Sequence, residues 1–248
     1  ANREGDQEVK LFARMFKANF KVFLRDKTEL FWTFALPICI IFLFSLIFAG
    51  EGQEISFNYL LPGILAAVLM GSGFFEALNF LKLREKKVIR SFSITPISRG
   101  SILSSEILMR ILVGFGQTVI TILSGVIVFN VNLKGNLFII FLIVIMGLLT
   151  FISFGYMLIC FVKSIGGGKI LTQIVQLIMV FLSGIFFPGD MMPGFIQSVA
   201  PIIPLTYLAD SLREVMVGIP GNFSLSLNVF FLWLWLVFTF LITIKFWK

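Results

Sequence analysis

The chain has 248 residues, of which 58% are hydrophobic and only 13% are charged. Soluble domains carry roughly 25% charged residues, so this composition excludes an ordinary soluble domain and predicts a protein embedded in lipid. The formal net charge is +7 and the sequence contains no histidine, which removes the most common general base and transition-metal ligand.

The first 30 residues are charged and amphipathic, so they predict a cytoplasmic helix at the membrane interface and no cleavable signal peptide. Within 10–25, five basic side chains fall within about 80° of one another on a helical wheel: Lys10, Arg14, Lys17, Lys21 and Arg25. Such a helix lies in the interface with its cations toward lipid headgroups. It acts either as a passive anchor or also as a contact for a cytosolic partner, and the sequence leaves both interpretations open.

Six hydrophobic stretches are near or above the length of about 20 residues that crosses a bilayer. They cover residues 31–50, 59–81, 102–129, 137–162, 170–187 and 227–246. With both termini in the cytoplasm, only Lys134 and Arg213 of the 20 basic residues lie on the outer side, as the positive-inside rule favours. We therefore expect an all-α membrane protein with six transmembrane helices that forms a single domain over residues 1–248.

Polar side chains inside these stretches mark a candidate transport pathway. Glu76 is the clearest, because a carboxylate at membrane depth suggests a function by default. Its position near Lys82 favours structural pairing with a basic residue, and a transport role is the alternative. Gln173 and Gln176 of the fifth span, with Gln117 of the third, could line a cavity or form interhelical hydrogen bonds. The candidate pathway comprises Phe74, Phe75, Glu76, Gln173, Gln176 and Phe181.

Residues 82–101, between the second and third spans, form a basic loop with the signature of a short helix. Thr95-Pro96 suits a helix start, with Thr95 as N-cap and Pro96 in the first helical position. The preceding residues mix Val, Ile and Phe with Lys and Arg, as in an amphipathic helix lying across the ends of the spans. Beyond the loop, Glu106 and Arg110 are expected to pair along their helix or with the loop itself.

Residues 188–226, after the fifth span, predict an external hairpin that enters the membrane without crossing it. Prolines interrupt the segment at Pro188, Pro193, Pro201 and Pro204. The apolar pieces between them are shorter than the roughly 20 residues that a crossing needs. Non-helical backbone at membrane depth requires protein or water to satisfy its polar groups, which a re-entrant or interfacial hairpin provides.

A polar helix at the end of this segment carries Asp210, Arg213 and Glu214. Asp210 and Arg213 are three residues apart, so they share a helical face and are expected to pair. We expect the pair to hold the hairpin in shape, and contact with substrate is the alternative.

Two local patterns resemble one family. After the fifth span, the residues that carry the resemblance are Ser183-Gly184, Phe187-Pro188, Pro193, Pro204-Leu205-Thr206-Tyr207, Asp210 and Arg213. Before the third span, the pattern consists of Arg84-Glu85 followed by Thr95-Pro96-Ile97-Ser98-Arg99. With the span count and the amphipathic start in the same order, nearly the whole chain resembles ABC-2 type permeases, the membrane subunits of ABC exporters. The start of the first span looks more like the branch that exports small drugs and peptides.

The resemblance implies a permease that moves an amphiphilic or hydrophobic substrate, such as a drug, peptide or lipid-like molecule, out of the cell by alternating access. It implies ABC ATPase subunits that carry ATP and Mg²⁺, a second permease copy, surrounding lipid, and a place in the cell membrane. The ATPase-coupling residues it implies are Arg84, Glu85, Ile89, Arg90, Phe92, Thr95, Pro96 and Arg99. The hairpin residues it implies are Pro188, Pro193, Pro204, Tyr207, Asp210 and Arg213.

The chain itself is expected to be no enzyme and to bind no cofactor, metal or nucleic acid. Gly166-Gly167-Gly168-Lys169 lacks the spacing of a phosphate-binding loop, and its glycines are expected to form a flexible turn. Two other functions stay open on the sequence. One is a secondary transporter with Glu76 as its coupling carboxylate, although no internal repeat accompanies it. The other is a membrane assembly or immunity protein without transport activity.

Overall fold

The computed structural model describes residues 2–48, 57–85, 99–186 and 193–246, and the regular structure in these ranges is helical. The described residues form nine α-helices and one short 3-10 turn. In chain order they are α1 (Asn2–Arg25), α2 (Lys27–Phe48), α3 (Phe57–Glu85), α4 (Arg99–Phe129), α5 (Leu137–Cys160), α6 (Ile165–Leu182), α7 (Gly194–Val199), the 3-10 turn Ala200–Ile202, α8 (Pro204–Val217) and α9 (Leu225–Phe246).

Five of the described helices are long and apolar enough to cross a membrane: α3, the Ser104–Phe129 part of α4, α5, α6 and α9. They coincide with the second to sixth predicted spans. A sixth candidate arises if α7, its 3-10 turn and α8 form one span, which would be bent by 90°. Helix α2 covers residues 31–48 of the first predicted span and continues through Pro37. The expectation of a helical membrane protein is confirmed, with five to six candidate spans in the described ranges.

Helix α3 occupies the centre of the bundle. In an apolar 18-residue stretch of α3, 72% of the residues are buried, against 17% in α6 and in α9. Glycines allow α3 and α5 to approach closely, because a Cβ on Gly73 would lie 2.8 Å from the backbone of Phe151. Likewise, a Cβ on Gly155 would lie 2.8 Å from the Cβ of Ala77. Small residues at helix crossings permit this packing in membranes.

The connection between α5 and α6 differs from the expected flexible turn. Helix α6 begins at Ile165, earlier than predicted, and its N-cap Ser164 accepts a hydrogen bond from the N–H of Gly167. The three glycines therefore form helix, since the serine cap satisfies an N–H group at the start of α6. A Cβ on Gly168 would lie 2.6 Å from a leucine side chain of α3, so small residues also fit this position. At the other end, Gly184 in the left-handed region (φ 70°) closes the helix earlier than predicted.

The bundle has two ends, which contacts between the connections define. One end, called the hairpin end, contains α8 from the predicted hairpin segment 188–226. There the N–H of Lys134, between α4 and α5, donates to the carbonyl of Met216 in α8 at 2.9 Å. At the opposite end, called the amino end because α1 lies there, Phe161 after α5 packs on Phe246 at the end of α9, with 5.5 Å between ring centroids. Helix α1 packs against the start of α4. The first and last described helices therefore meet the same end of the bundle.

Candidate transport cavity and hairpin cluster

A cavity of about 550 Å³ lies between α2, α3, α4 and α6. Its apolar lining residues are Trp32, Leu36, Ile40, Ala67, Val68, Gly71, Phe75, Val180 and Phe186. Its polar lining residues are Asp26, Thr28, Glu29, Thr33, Ser72, Arg110, Gln117 and Gln176. The cavity combines apolar walls with convergent polar groups, as small-molecule sites do.

Arg110 of α4 joins three helices at the amino end of this cavity. Its Nε donates to Oε2 of Glu76 in α3 at 3.0 Å, and its Nη2 lies 3.4 Å from Oε1 of Glu29 in α2. The guanidinium also lies over the ring of Phe75, 5.0 Å from the centroid. Because Glu76 and Arg110 are both buried, each offsets a charge that the interior would make costly. The pairing favours a structural role for Glu76.

The expected pair between Glu106 and Arg110 is not the one that forms. Arg110 directs its hydrogen bonds to Glu76 and Glu29. Oε2 of Glu106 is buried without a hydrogen-bond partner. The reason is geometric: a guanidinium presents donors on several sides, and here two of them reach carboxylates on neighbouring helices.

Two cavity residues retain unused hydrogen-bonding capacity. Ser72 of α3 is 6% exposed, and its Oγ has no hydrogen-bond partner. Gln117 of α4 is 5% exposed; its Nε2 donates to the carbonyl of Thr33 at 3.2 Å, while its Oε1 has no partner. Buried polar atoms are normally paired, so these two oxygens are exceptions in the wall of the cavity.

A second polar cluster joins α8 to the hairpin ends of α3 and α6. Arg213 pairs with Asp210 at 2.8 Å, as the sequence predicts. Its Nη2 donates to the carbonyls of Gly184 and Ile185 at 3.1 and 2.8 Å, and its Nε donates to the carbonyl of Tyr59 at 3.3 Å. One guanidinium thus binds backbone carbonyls near the start of α3 and just past the end of α6.

The same cluster extends to both ends of the hairpin segment. Oδ2 of Asp210 accepts a hydrogen bond from the N–H of Asn222, close to the start of α9, at 3.0 Å. The hydroxyl of Thr206 lies 2.8 Å from the carbonyl of Ala200 and 3.2 Å from that of Ser183. Hydrogen bonds of α8 therefore reach both the residue after α6 and the segment before α9, although these are far apart in sequence.

The remaining hairpin residues have simpler roles. Pro204 is the first residue of α8, a position where proline suits a helix. The hydroxyl of Tyr207 donates to the carbonyl of Pro201, and its ring stacks on α9. Pro193 precedes α7, and Pro188 lies outside the described residues.

The structure separates the predicted pathway residues into two groups. Those at the cavity or directly behind it are Phe75, Glu76 and Gln176. Those away from it are Phe74, Gln173 and Phe181. The first of these packs against phenylalanines of α5 in the core, whereas the other two are exposed on the outward face of α6.

Only the two ends of the predicted coupling loop are described. Arg84 donates to the carbonyl of Val162 at 2.7 Å, and Glu85 accepts a hydrogen bond from the N–H of Ile165 at 2.9 Å. Both residues thus bind the connection between α5 and α6. Arg99 is the first residue of α4. The predicted coupling residues outside the described ranges are Ile89, Arg90, Phe92, Thr95 and Pro96.

Sequence reasoning missed Asp26 and Glu29 as cavity residues, because both precede the first predicted span and counted as part of the interfacial segment. Helix α2 begins at Lys27, which places Glu29 in its first turn. The sequence signal that could have found them is Asp26 as an N-cap, which predicts that a helix begins at Lys27. In the structure, Oδ1 of Asp26 accepts hydrogen bonds from the N–H groups of Thr28 and Glu29 at 3.1 and 2.9 Å.

Five to six candidate spans around a buried central helix, with a polar-ended cavity beside it, define a multi-pass membrane protein of transporter type. The ABC-2 type transporter family matches residues 10–217. The chain therefore belongs to the ABC-2 type transporter family, a permease family of ABC transporters.

Curated relatives agree with this family. The probable multidrug ABC transporter permease YbhS of Escherichia coli K12 is 25% identical over 182 residues, which are 72% of this chain and 48% of the relative. Nodulation protein J of Rhizobium leguminosarum bv. viciae is 26% identical over 217 residues, which are 82% of this chain and 81% of that protein. The chain spans about half the length of the Escherichia coli relative.

Proposed function

We propose that this chain is the permease subunit of an ATP-driven exporter that moves an amphiphilic or hydrophobic substrate out of the cell. The observation that carries the proposal is the cavity between α2, α3, α4 and α6, which has apolar walls and a charged end. Membership of the ABC-2 type transporter family and the multidrug description of the Escherichia coli relative support it. The cavity is the substrate's binding site in the membrane.

A secondary transporter coupled through Glu76 is less well supported. Glu76 is buried and accepts a hydrogen bond from Arg110 at 3.0 Å. A proton bound to Glu76 would leave the buried guanidinium with Glu29 as its remaining ion-pair partner, at the longer distance of 3.4 Å. Removing one side of a buried pair is costly, which opposes repeated protonation of this carboxylate during transport.

A second permease copy covers the outward face of α6. This face is apolar at Ile170 and Leu177, which are 61% and 59% exposed, and it carries the exposed amide of Gln173 between them. An amide that faces hydrocarbon loses its hydrogen bonds, whereas a partner helix can satisfy it. The position of Gln173 therefore supports a protein neighbour rather than lipid at this face.

The ATPase subunits dock at the amino end, on the loop between α3 and α4. Arg84 and Glu85 bind the α5–α6 connection and so join two connections of the same end. Force applied to the loop would reach α5 and α6 through these hydrogen bonds. Ile89 and Phe92 are the apolar residues proposed to enter the ATPase surface.

The segment from α7 to α8 is an external re-entrant hairpin rather than a crossing. Thr206 contacts Ser183 at the end of α6, and Asp210 binds Asn222 close to the start of α9. The segment therefore leaves and returns at the hairpin end, which supports six crossings, with α2 as the first, and both termini in the cytoplasm.

Co-purification and reconstitution test the proposed function. The full chain is isolated from its native membrane, its ATPase partner is identified by mass spectrometry, and both are placed in liposomes with an amphiphilic dye. We expect ATP-dependent dye transport by the complex and no ATP turnover by the chain alone. The variant Ile89→Asp/Phe92→Asp should insert normally but lose coupled transport. ATP hydrolysis by the isolated, contaminant-free chain, or transport without the ATPase, would contradict the proposal.

A further inference from the structure

The charged groups among the described residues that line the cavity are two carboxylates and one guanidinium. Asp26 and Glu29 contribute the carboxylates, and Arg110 contributes the guanidinium. Among the described lining residues Arg110 is the only cation, and two carboxylates already occupy its donors. A charged ligand in this cavity therefore meets carboxylates with which it can pair, and a cation that already has two carboxylate partners.

The charge of the described lining residues is negative, because the carboxylates of Asp26 and Glu29 face the guanidinium of Arg110. The buried carboxylate of Glu76, which is not a lining residue, also binds this guanidinium. The side chain of Glu29 is 18% exposed and that of Glu76 only 5%, so Glu29 is the paired carboxylate that a ligand can reach. Apolar walls lower the local dielectric constant and so strengthen the attraction of this end for a positive charge.

Aromatic side chains on the same walls favour the same sign of charge. Trp32 of α2 is 57% exposed, lines the cavity and lies one turn from Glu29. The indole face attracts cations more strongly than the ring of phenylalanine or tyrosine does. Phe75 already receives the guanidinium of Arg110 in this way.

We propose that the cavity selects amphiphiles with a cationic headgroup, in which an ammonium group on an apolar body binds at Glu29 and Asp26. The apolar body lies along the wall formed by α2 and α6. An anionic headgroup would be repelled by these carboxylates. Arg110 could not pair with it freely, because Glu76 and Glu29 already bind the guanidinium. This inference rests on the proposed function, in which the cavity is the substrate's binding site.

Fluorescence of Trp32 tests the inference on the full chain in phosphatidylcholine nanodiscs. The other tryptophans are replaced by Trp233→Phe, Trp235→Phe and Trp247→Phe, so that quenching reports on the cavity. Three probes share one brominated dodecyl chain, which quenches indole, and carry an ammonium, a sulfate or a maltoside headgroup. We expect the ammonium probe to bind about tenfold more tightly than either of the others.

The variant Glu29→Gln locates the headgroup, with Glu214→Gln as the matched control. Glu214 lies in α8 and does not line the cavity, so its replacement removes the same charge elsewhere. Glu29→Gln should weaken binding of the ammonium probe about tenfold and leave the maltoside probe unchanged. Glu214→Gln should leave all three affinities unchanged.

Each contrary result has a separate meaning. Equal affinity for the three probes, or tighter binding of the sulfate, overturns the preference for cations and leaves the exporter proposal intact. Unchanged ammonium binding in Glu29→Gln overturns the placement of the headgroup. Absence of saturable quenching by every probe overturns the cavity as a binding site, whereas loss of ATPase co-purification contradicts the proposed function alone.

Discussion

The guanidinium of Arg213 lies over the ring of Tyr59, with 3.8 Å between the guanidinium carbon and the ring centroid. This contact adds to the hydrogen bonds that the same side chain makes with the ends of α3 and α6. The buried side chain of Arg213 thus connects α8 to two candidate membrane spans, α3 and α6. Removing this side chain is expected to weaken the packing of the segment 188–226 against them.

Replacing Arg213 by Ala should lower the free energy of unfolding by about 3–5 kcal/mol, because Asp210 is left as an unpaired buried charge. The double variant Asp210→Ala/Arg213→Ala should lose less than the sum of the two single variants. Thermal unfolding of the purified chain in detergent measures all three. Additive losses would mean that the two residues stabilise the protein independently.

Gly63→Ala should destabilise the hairpin end, since its Cβ would lie 2.6 Å from the carbonyl oxygen of Ile185 and 3.2 Å from Nη2 of Arg213. We expect a loss of about 1–3 kcal/mol, the usual cost of overpacking. Gly194→Ala is the matched control, because nothing lies within 4 Å of its Cβ. The two midpoints of thermal unfolding are compared, and equal shifts would contradict the close approach at Gly63.

Arg110→Ala should destabilise the chain by several kcal/mol, on the order of the cost of breaking a buried ion pair. Adding Glu76→Gln should restore part of this loss, since it removes the stranded buried carboxylate. Adding Glu106→Gln instead tests the pairing expected from helical spacing. Stronger rescue by Glu106→Gln, measured by thermal unfolding, would reverse the assignment of the partner.

Cross-linking tests the second copy at the outward face of α6. In a background lacking Cys39 and Cys160, Gln173→Cys should form disulfide-linked dimers in native membranes. Leu241→Cys is the control, because Leu241 is 60% exposed on the outward face of α9. Oxidised membranes are compared on non-reducing gels. Dimers through position 241 and none through 173 would place the partner at α9.

Labelling with an impermeant thiol reagent tests the topology. Ser198 and Ser226 are both exposed, in α7 and at the start of α9. In the same cysteine-free background, Ser226→Cys should react from outside, and the proposed re-entrant hairpin predicts that Ser198→Cys reacts weakly from that side. Reaction of Ser226→Cys only after the inner face is opened would contradict six crossings.

The helices were predictable because long apolar stretches have few stable forms in lipid, where each backbone polar group needs a partner. The pair of Asp210 and Arg213 was predictable for a related reason, since residues three apart share a helical face. The partners of Arg110 were not, because they lie 34 and 81 residues away in sequence and meet it only after the helices pack. The ends of α6 depended on Ser164 and Gly184, whose caps override the hydrophobic boundary.

Arg110 binds its two carboxylate partners at different distances, and the two partners differ in burial. The electrostatic cost of moving a wall of the cavity therefore differs between α2 and α3. Moving α2 outward would break the longer contact, at 3.4 Å, and would bring the partly exposed Glu29 into water that can solvate it. Moving α3 would break the 3.0 Å contact and strand Glu76 as a lone charge in the interior. Displacing α2 would therefore cost less electrostatic free energy than displacing α3.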